Sequence, residues 1–223
     1  MSKIEIISSK DGSHTLFLPE MNETYHSHHG AIQESEYVFI EKGIAPIAQK
    51  QKTLTILEIG FGTGLNALLS FRTAIQEGLT LHYHTLEPYP LIKEVYSNLN
   101  YPVIIEEGKY KETFLKLHEA PMNEEIKLSN NFFLNKYNET LENVTLRIEA
   151  DVVFYDAFAP AKQPEVWSLS NLEKVKQAMN PKGVLVTYCA SGQFRRDLKS
   201  LGFVVENLPG PPGKKEMTRA FLM

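Results

Sequence analysis

Residues 54–70 read LTILEIGFGTGLNALLS, and the order of features within them decides the fold. Leu54, Ile56, Leu57 and Ile59 make an apolar run of strand character. Gly60, Gly62 and Gly64 punctuate the turn that follows, and an apolar helical stretch leaves from Leu65. Glycine serves where the backbone takes positive φ or comes close to a ligand. A strand, a glycine turn and a helix in that order place unpaired backbone N–H groups and a helix N-terminus beside a bound group. The segment therefore predicts a nucleotide-type cofactor site.

Beyond this unit, strands and helices alternate. Strands are expected at 54–59, 81–86, 132–134, 151–155, 184–188, 203–206 and 217–222. Helices are expected at 65–77, 91–99, 139–147, 169–179 and 193–200, and a polar stretch at 121–130 interrupts the rhythm. Upstream, 4–8 and 14–18 alternate like a hairpin around Lys10-Asp11-Gly12-Ser13. Histidine-rich 25–30 reads as a loop, and 31–42 reads as a helix stopped by Gly43 and Pro46. The alternation predicts an α/β fold with a mostly parallel central sheet. The last two strands, joined by a Pro/Gly loop at 209–213, would pair antiparallel at one edge. One domain is expected over 1–223, with an N-terminal hairpin and helix extension at 1–50 and a cofactor-binding core at 51–223.

Composition narrows the classes. A hydrophobic fraction of 43% with 22% charged residues is that of a soluble globular chain. The apolar runs fall far short of the roughly 20 residues of a membrane span, and the N-terminus has no apolar core of a secretory signal. The single cysteine, Cys189, excludes an internal disulfide framework and a multi-cysteine zinc cluster, so a cytoplasmic setting is expected. With no extra apolar element in view, a monomer is expected. A formal net charge of −4 gives no overall attraction to nucleic acid, so such a partner must meet a local basic patch.

Three carboxylates fall near strand ends, where ligands of open α/β sheets bind: Glu58, Glu87 and Asp156. A dinucleotide fingerprint reads G-x-G-x-x-G, whereas this turn reads G-x-G-x-G. Leu65 and Asn66 stand where a phosphate-cradling loop carries Lys-Ser/Thr. Glu58 precedes the glycines, and Glu87 follows at the end of the second strand, where an acid takes ribose hydroxyls by accepting on both oxygens. E-x-G-x-G-x-G is the pattern of class I S-adenosyl-L-methionine (SAM) methyltransferases, and SAM brings a cationic end and no phosphate. A nicotinamide or flavin cofactor, or a packing turn without ligand, are the competing readings. Histidines 26, 28 and 29 would be the start of a metal site, but no cysteine or paired acid at ligand spacing accompanies them, and no metal is expected.

Residues 156–167 read DAFAPAKQPEVW. This run resembles the tRNA 5-(aminomethyl)-2-thiouridine methyltransferases, the methyltransferase half of the bifunctional MnmC proteins and the stand-alone MnmD type. Further blocks carry the resemblance along most of the chain: Asp11-Gly12-Ser13, Glu23-Thr24-Tyr25-His26-Ser27, His29-Gly30-Ala31, Gln33-Glu34-Ser35, residues 58–66, Tyr188-Cys189-Ala190, Arg195-Arg196 and residues 209–219. The resemblance implies a Rossmann-like class I SAM-dependent methyltransferase that converts the 5-aminomethyl group of a tRNA wobble uridine to 5-methylaminomethyl. Bifunctional relatives add an FAD-dependent oxidase. This chain ends at Met223, just after the methyltransferase blocks, so no oxidase half and no FAD are expected. Other readings are a SAM-dependent enzyme acting on another RNA or a small amine, and a SAM-binding module without catalysis.

The resemblance also assigns roles. Asp156 is the expected catalytic residue, holding the amine and serving as base. Gly60, Gly62, Gly64 and Asn66 join Glu58 and Glu87 as the SAM site, with Gln33 near its methionine end. The family usually carries Gly-Asp after the third strand to touch the adenine. Asn135 and Lys136 stand there in this chain, and Asn135 is the expected substitute. Tyr25, His28 and His29 are expected at the substrate, with Phe158 stacking on a base and Lys162 meeting a phosphate. Residues 182–219 hold the basic residues Lys182, Arg195, Arg196, Lys199, Lys214, Lys215 and Arg219 against the acidic Asp197, Glu206 and Glu216. Arg195, Arg196, Lys214 and Lys215 of this patch are expected to hold the anticodon stem-loop of tRNA through its phosphates.

Overall fold

Leu54, Ile56, Leu57 and Ile59 are all buried, which is what a strand covered on both faces of a sheet requires. The protein, described by a computed structural model over residues 4–223, builds this strand into the middle of an eight-stranded sheet. Residues 1–3 of the expected N-terminal extension lie outside the described residues. In chain order the strands are β1 (Glu5–Ser8), β2 (His14–Leu18), β3 (Glu23–Thr24), β4 (Thr53–Ile59), β5 (Thr80–Leu86), β6 (Glu125–Ser129), β7 (Phe132–Tyr137), β8 (Ala150–Tyr155), β9 (Met179–Thr187), β10 (Phe203–Pro209) and β11 (Glu216–Leu222). The large sheet runs β10-β11-β9-β8-β4-β5-β7-β6, and β1-β2-β3 form a separate antiparallel sheet.

Strands β7, β5, β4, β8 and β9 run parallel to one another, and β6 pairs antiparallel with β7 at the far edge. Strand β11 pairs antiparallel with β9 and with the edge strand β10, as the Pro/Gly loop between the last two strands predicts. From β4 the chain winds outward to β5 and β7, then returns to β8 on the other side. The switch point, and so the ligand crevice, lies beyond the ends of β4 and β8. Alternate residues feed two cores. Ile56, Tyr83, Phe132 and Phe154 pack on one face, and Leu57, Tyr155, Leu185 and Trp167 pack on the other. Among the described residues no helix is long and apolar enough to cross a membrane.

Four local expectations are corrected. Helical structure from residue 31 does not stop at Gly43. It runs as an α-turn (Ala31–Ser35), a π-helical stretch (Glu36–Ile44) and a further α-turn (Ala45–Ala48), with Pro46 in its first turn, where proline is tolerated. Gly43 lets this rod lie on the sheet: a Cβ there would stand 3.0 Å from Val186 and 3.1 Å from Phe154. Residues 139–147 contain one turn followed by chain without regular secondary structure instead of a helix. Leu141 and Val144 are buried there, and Lys174 Nζ donates to the carbonyls of Leu141 and Glu142. This segment must return the full length of the sheet to begin β8. Extended chain covers about twice the distance per residue that a helix does.

The polar stretch contains β6, an edge strand whose Glu125 and Lys127 alternate with Ile126 and Leu128; charges on an exposed edge are usual. The helix expected at 91–99 is a single turn (Lys93–Tyr96), and the longer helix lies later, at Lys111–Glu119, where Phe114 and Leu117 are buried. Replacing Gly43 with Leu is expected to lower stability by about 1–3 kcal/mol through overpacking against the sheet. Denaturant unfolding would show this as a lower midpoint at unchanged slope.

Candidate active site

The turn after β4 takes its shape from its neighbours. Gly60 has φ 96°, and a Cβ on it would lie 2.8 Å from the Asp156 carbonyl oxygen. Gly62 has φ 50°, and a Cβ there would press on the Tyr25 ring at 3.1 Å. Only glycine meets both conditions. Glu87, just past β5, fixes the turn. Its Oε2 accepts from the Gly62 N–H at 2.8 Å and its Oε1 from the Tyr89 N–H at 2.9 Å. A carboxylate offers about four acceptor positions, so each oxygen retains one for a ligand hydroxyl. Burial raises the Glu87 pKa, and the two backbone N–H groups work against that rise.

A cavity of about 660 Å³ opens here. It is lined by the glycine turn, the end of β8, residues 23–29, Glu34, Tyr188 and Lys214. Asp156 stands on its floor, where desolvation raises the pKa to about 7. The Asn66 hydrogen bond opposes the rise, Glu34 adds to it, and Lys214 offsets it. Asn66 Nδ2 donates to Asp156 Oδ2 at 2.8 Å, and Asn66 Oδ1 is buried without a partner. Tyr25 meets Phe158 edge-on, with ring centroids 5.0 Å apart, to form one wall. The Tyr188 hydroxyl donates to the Ala157 carbonyl at 2.8 Å.

Of the residues singled out from the sequence, Gly60, Gly62, Asn66, Glu87, Asp156, Tyr25, His28, His29, Phe158 and Lys214 line this cavity together. The others lie elsewhere. Glu58 is fully buried behind the turn, accepts from Thr85 Oγ1 at 2.7 Å, and is raised to about 8 by desolvation. Gly64 caps the following helix against Phe61 and His118. Gln33 is exposed and its N–H donates to Asp11; the next helical residue, Glu34, reaches the cavity, since one residue turns a helix by about 100°. Asn135 faces away and donates to the Tyr137 hydroxyl.

Neighbouring Lys136 is buried, donates to the His118 carbonyl at 2.6 Å, and is lowered to about 8 by desolvation. Lys162 donates to the Met21 carbonyl. Arg195 is engaged by Thr218, Glu216 and Met217, Arg196 by Gln193, and Lys215 lies beside a shallower opening with Lys214. His26 does border the cavity, but its ring is enclosed between Thr15 and Thr63 and lowered to about 4 by burial. Among the described residues no group of three His, Cys, Asp or Glu is placed to hold a metal ion. Glu34 and Tyr188 were the residues the sequence reading missed, although both sit inside blocks it had singled out.

The lining decides what ligand fits. Seven carboxylates (Glu23, Glu34, Glu87, Glu139, Glu142, Asp156, Glu165) face the cavity with one lysine, Lys214, which is already paired 2.6 Å from Glu34. A pyrophosphate would meet repulsion on every side. A nucleoside with a sulfonium and an ammonium meets acceptors, including the unpartnered Asn66 oxygen and the open positions of Glu87. Fold and crevice thus define an α/β transferase binding a cationic nucleoside cofactor at the sheet's switch point.

Comparison with known proteins agrees. Residues 106–223 match the family model described as S-adenosyl-L-methionine-dependent methyltransferase. The bifunctional protein MnmC of tRNA 5-methylaminomethyl-2-thiouridine biosynthesis from Campylobacter hominis is 31% identical over 214 residues, covering 92% of this chain and 31% of that protein. The same-named protein of Idiomarina loihiensis is 28% identical, covering 88% and 35%. The chain thus spans about a third of the length of the curated relatives it matches. The crystal structure of MNMC2 from Aquifex aeolicus superimposes with a TM-score of 0.82 at 31% identity, covering 99% of this chain and 70% of that one. Spermidine synthase from Thermotoga maritima, at 13% identity and a TM-score of 0.57, shares the fold. The chain belongs to the MnmC-type S-adenosyl-L-methionine-dependent methyltransferases.

Hydrogen bonds to a charged group are worth about 1.5–3 kcal/mol each. Replacing Glu87 with Gln is therefore expected to weaken SAM binding by roughly 10- to 100-fold, measured by titration calorimetry.

Proposed function

We propose that this protein methylates the primary amine of a 5-aminomethyl-(2-thio)uridine at the wobble position of tRNA, giving 5-methylaminomethyl-(2-thio)uridine. The observation that carries this reading is the partly buried Asp156, raised to about 7 on the floor of a carboxylate-lined cavity beside the cofactor turn. The biosynthetic step printed for the MnmC relatives supports the substrate. When bound, SAM supplies an electrophilic methyl group. The chain's own residues do the rest. Glu87, the Gly60–Gly62 backbone and Asn66 hold the cofactor, with Glu58 behind them.

Asp156 orients the incoming ammonium and accepts its proton, which leaves the nitrogen lone pair free to attack. A carboxyl group with its pKa near 7 is half ionised at neutral pH, so it takes that proton far more readily than an ordinary aspartate would. Tyr25 and Phe158 close one wall and exclude water from the reacting groups. His28 and His29 lie exposed at the rim, where unstacked loop nucleotides would enter. Lys182, Arg196, Lys199 and Lys215, which among the described residues have no carboxylate partner in an ion pair, are assigned to phosphates outside the cavity.

Labelled SAM and tRNA carrying 5-aminomethyluridine are expected to yield a labelled methylaminomethyl nucleoside after digestion. Intact SAM binding with no such product would overturn the reading, and label appearing only in a small amine would replace it with the small-substrate alternative. Because Asp156 must be ionised to accept a proton, single-turnover rate should fall as pH drops through about 7. Asp156→Asn should remove that limb and slow methyl transfer by about 10²–10⁴-fold while SAM binding persists.

A further inference from the structure

Lys214 is oddly placed for a residue of an anion-binding surface. Its ammonium lies 2.6 Å from Glu34 Oε1 and 3.7 Å from the centroid of the Tyr188 ring, within the cavity that holds Asp156. A carboxylate beside an aromatic face is the arrangement that binds an alkylammonium. Both walls are held without help from the lysine. Glu34 is buried and its Oε2 accepts from the Ser27 N–H at 2.8 Å, while the Tyr188 hydroxyl is tied to Ala157. The lysine is held less firmly. Its side chain is 30% exposed against 6% for Glu34, and it follows directly on the Pro/Gly loop.

We propose that Glu34 and Tyr188 form the receptor for the substrate's primary ammonium, and that Lys214 is a built-in occupant which the substrate displaces. This rests on the amine-methylation reading and supplies the ammonium-binding site which that reading needs next to Asp156. The exchange replaces one ammonium with another, so Glu34 is never left buried and unpaired, the expensive outcome for a desolvated charge. The released lysine lies at the shallower opening shared by Tyr188, Lys214, Lys215 and Glu216, where water or a substrate phosphate receives it.

A tethered occupant also sets specificity. A free amine must compete with an internal ammonium whose effective concentration is of order millimolar or higher. An amine carried on a large substrate, held by many other contacts, wins that competition. The substrate class is therefore an alkylammonium borne on a macromolecule.

The test on the unaltered protein uses ethylammonium chloride as probe, with sodium chloride at equal ionic strength as control. Lysine acetylation by an amine-reactive ester is mapped by mass spectrometry, and Lys214 is read as its ratio to Lys215 in the same sample because ethylammonium also consumes ester. The Lys214-to-Lys215 acetylation ratio should rise about tenfold with saturating ethylammonium, following the unpaired fraction of Lys214. An unchanged ratio at saturating ethylammonium would overturn the proposal. In a parallel NMR titration, Lys214→Met should bind ethylammonium about tenfold more tightly than wild type, since no occupant then lowers the fraction of competent cages. The double variant Glu34→Gln, Lys214→Met should lose that gain. Equal or weaker binding by folded Lys214→Met would sink the idea. Neither measurement needs RNA or turnover, so failure of the tRNA reading appears separately, as a missing nucleoside with ammonium exchange intact.

Discussion

The carbonyl of Asp156 fills the space that a side chain on residue 60 would need. That close approach joins the cofactor turn to the end of β8, and the Asp156 N–H closes it by donating to the Ile59 carbonyl at 3.1 Å. A second tie comes from Asn66, in the first turn of the helix leaving the glycines, which holds the Asp156 carboxylate. Cofactor loop and acid are therefore one rigid piece at the switch point of the sheet. Methyl transfer depends on a sub-ångström relation between donor and acceptor, and a shared backbone contact secures it better than two separate loops would.

Around this piece the electrostatics follow from water exclusion. Burial pushes Glu58 and Asp156 upward and pushes His26 and His118 downward, in each case toward the neutral form. The cavity thus stores unfavourable carboxylate crowding that only cationic ligands relieve. Lys214 supplies part of that relief from within the chain. On the proposed reading, this preference for positive charge lets a protein of net charge −4 take in the amine of a polyanionic substrate.

Much of this was legible in the sequence wherever one physical requirement dominates a segment. The run at 54–59 had to be a strand buried on both faces, and the glycines had to approach something closely. The identity of Asp156 followed from the block at 156–167. What failed to show were features that depend on partners distant in sequence. Gly43 reads as a helix stop until the sheet residues Val186 and Phe154 are seen against it. The charges of β6 read as loop because an edge strand needs no second buried face. Gln33 and Glu34 differ by one helical step, and only the burial of Glu34 decides between them. Arg195 reads as a phosphate ligand, yet Glu216 and Thr218 on the neighbouring strand engage it.

The cavity walls come from opposite ends of the chain. Tyr25 and Glu34 lie near the start, whereas Lys214 lies within ten residues of the end, and the Tyr37 hydroxyl bonds the Pro209 carbonyl across 172 positions. The entropic cost of such closures grows only slowly with loop length, but contacts far apart in sequence slow folding. During synthesis the ribosome releases the glycine turn, Asp156 and Tyr188 before Lys214. A nascent chain would therefore present its carboxylate cluster without its internal counter-ion. The internal counter-ion joins that cluster once β11 docks onto β9.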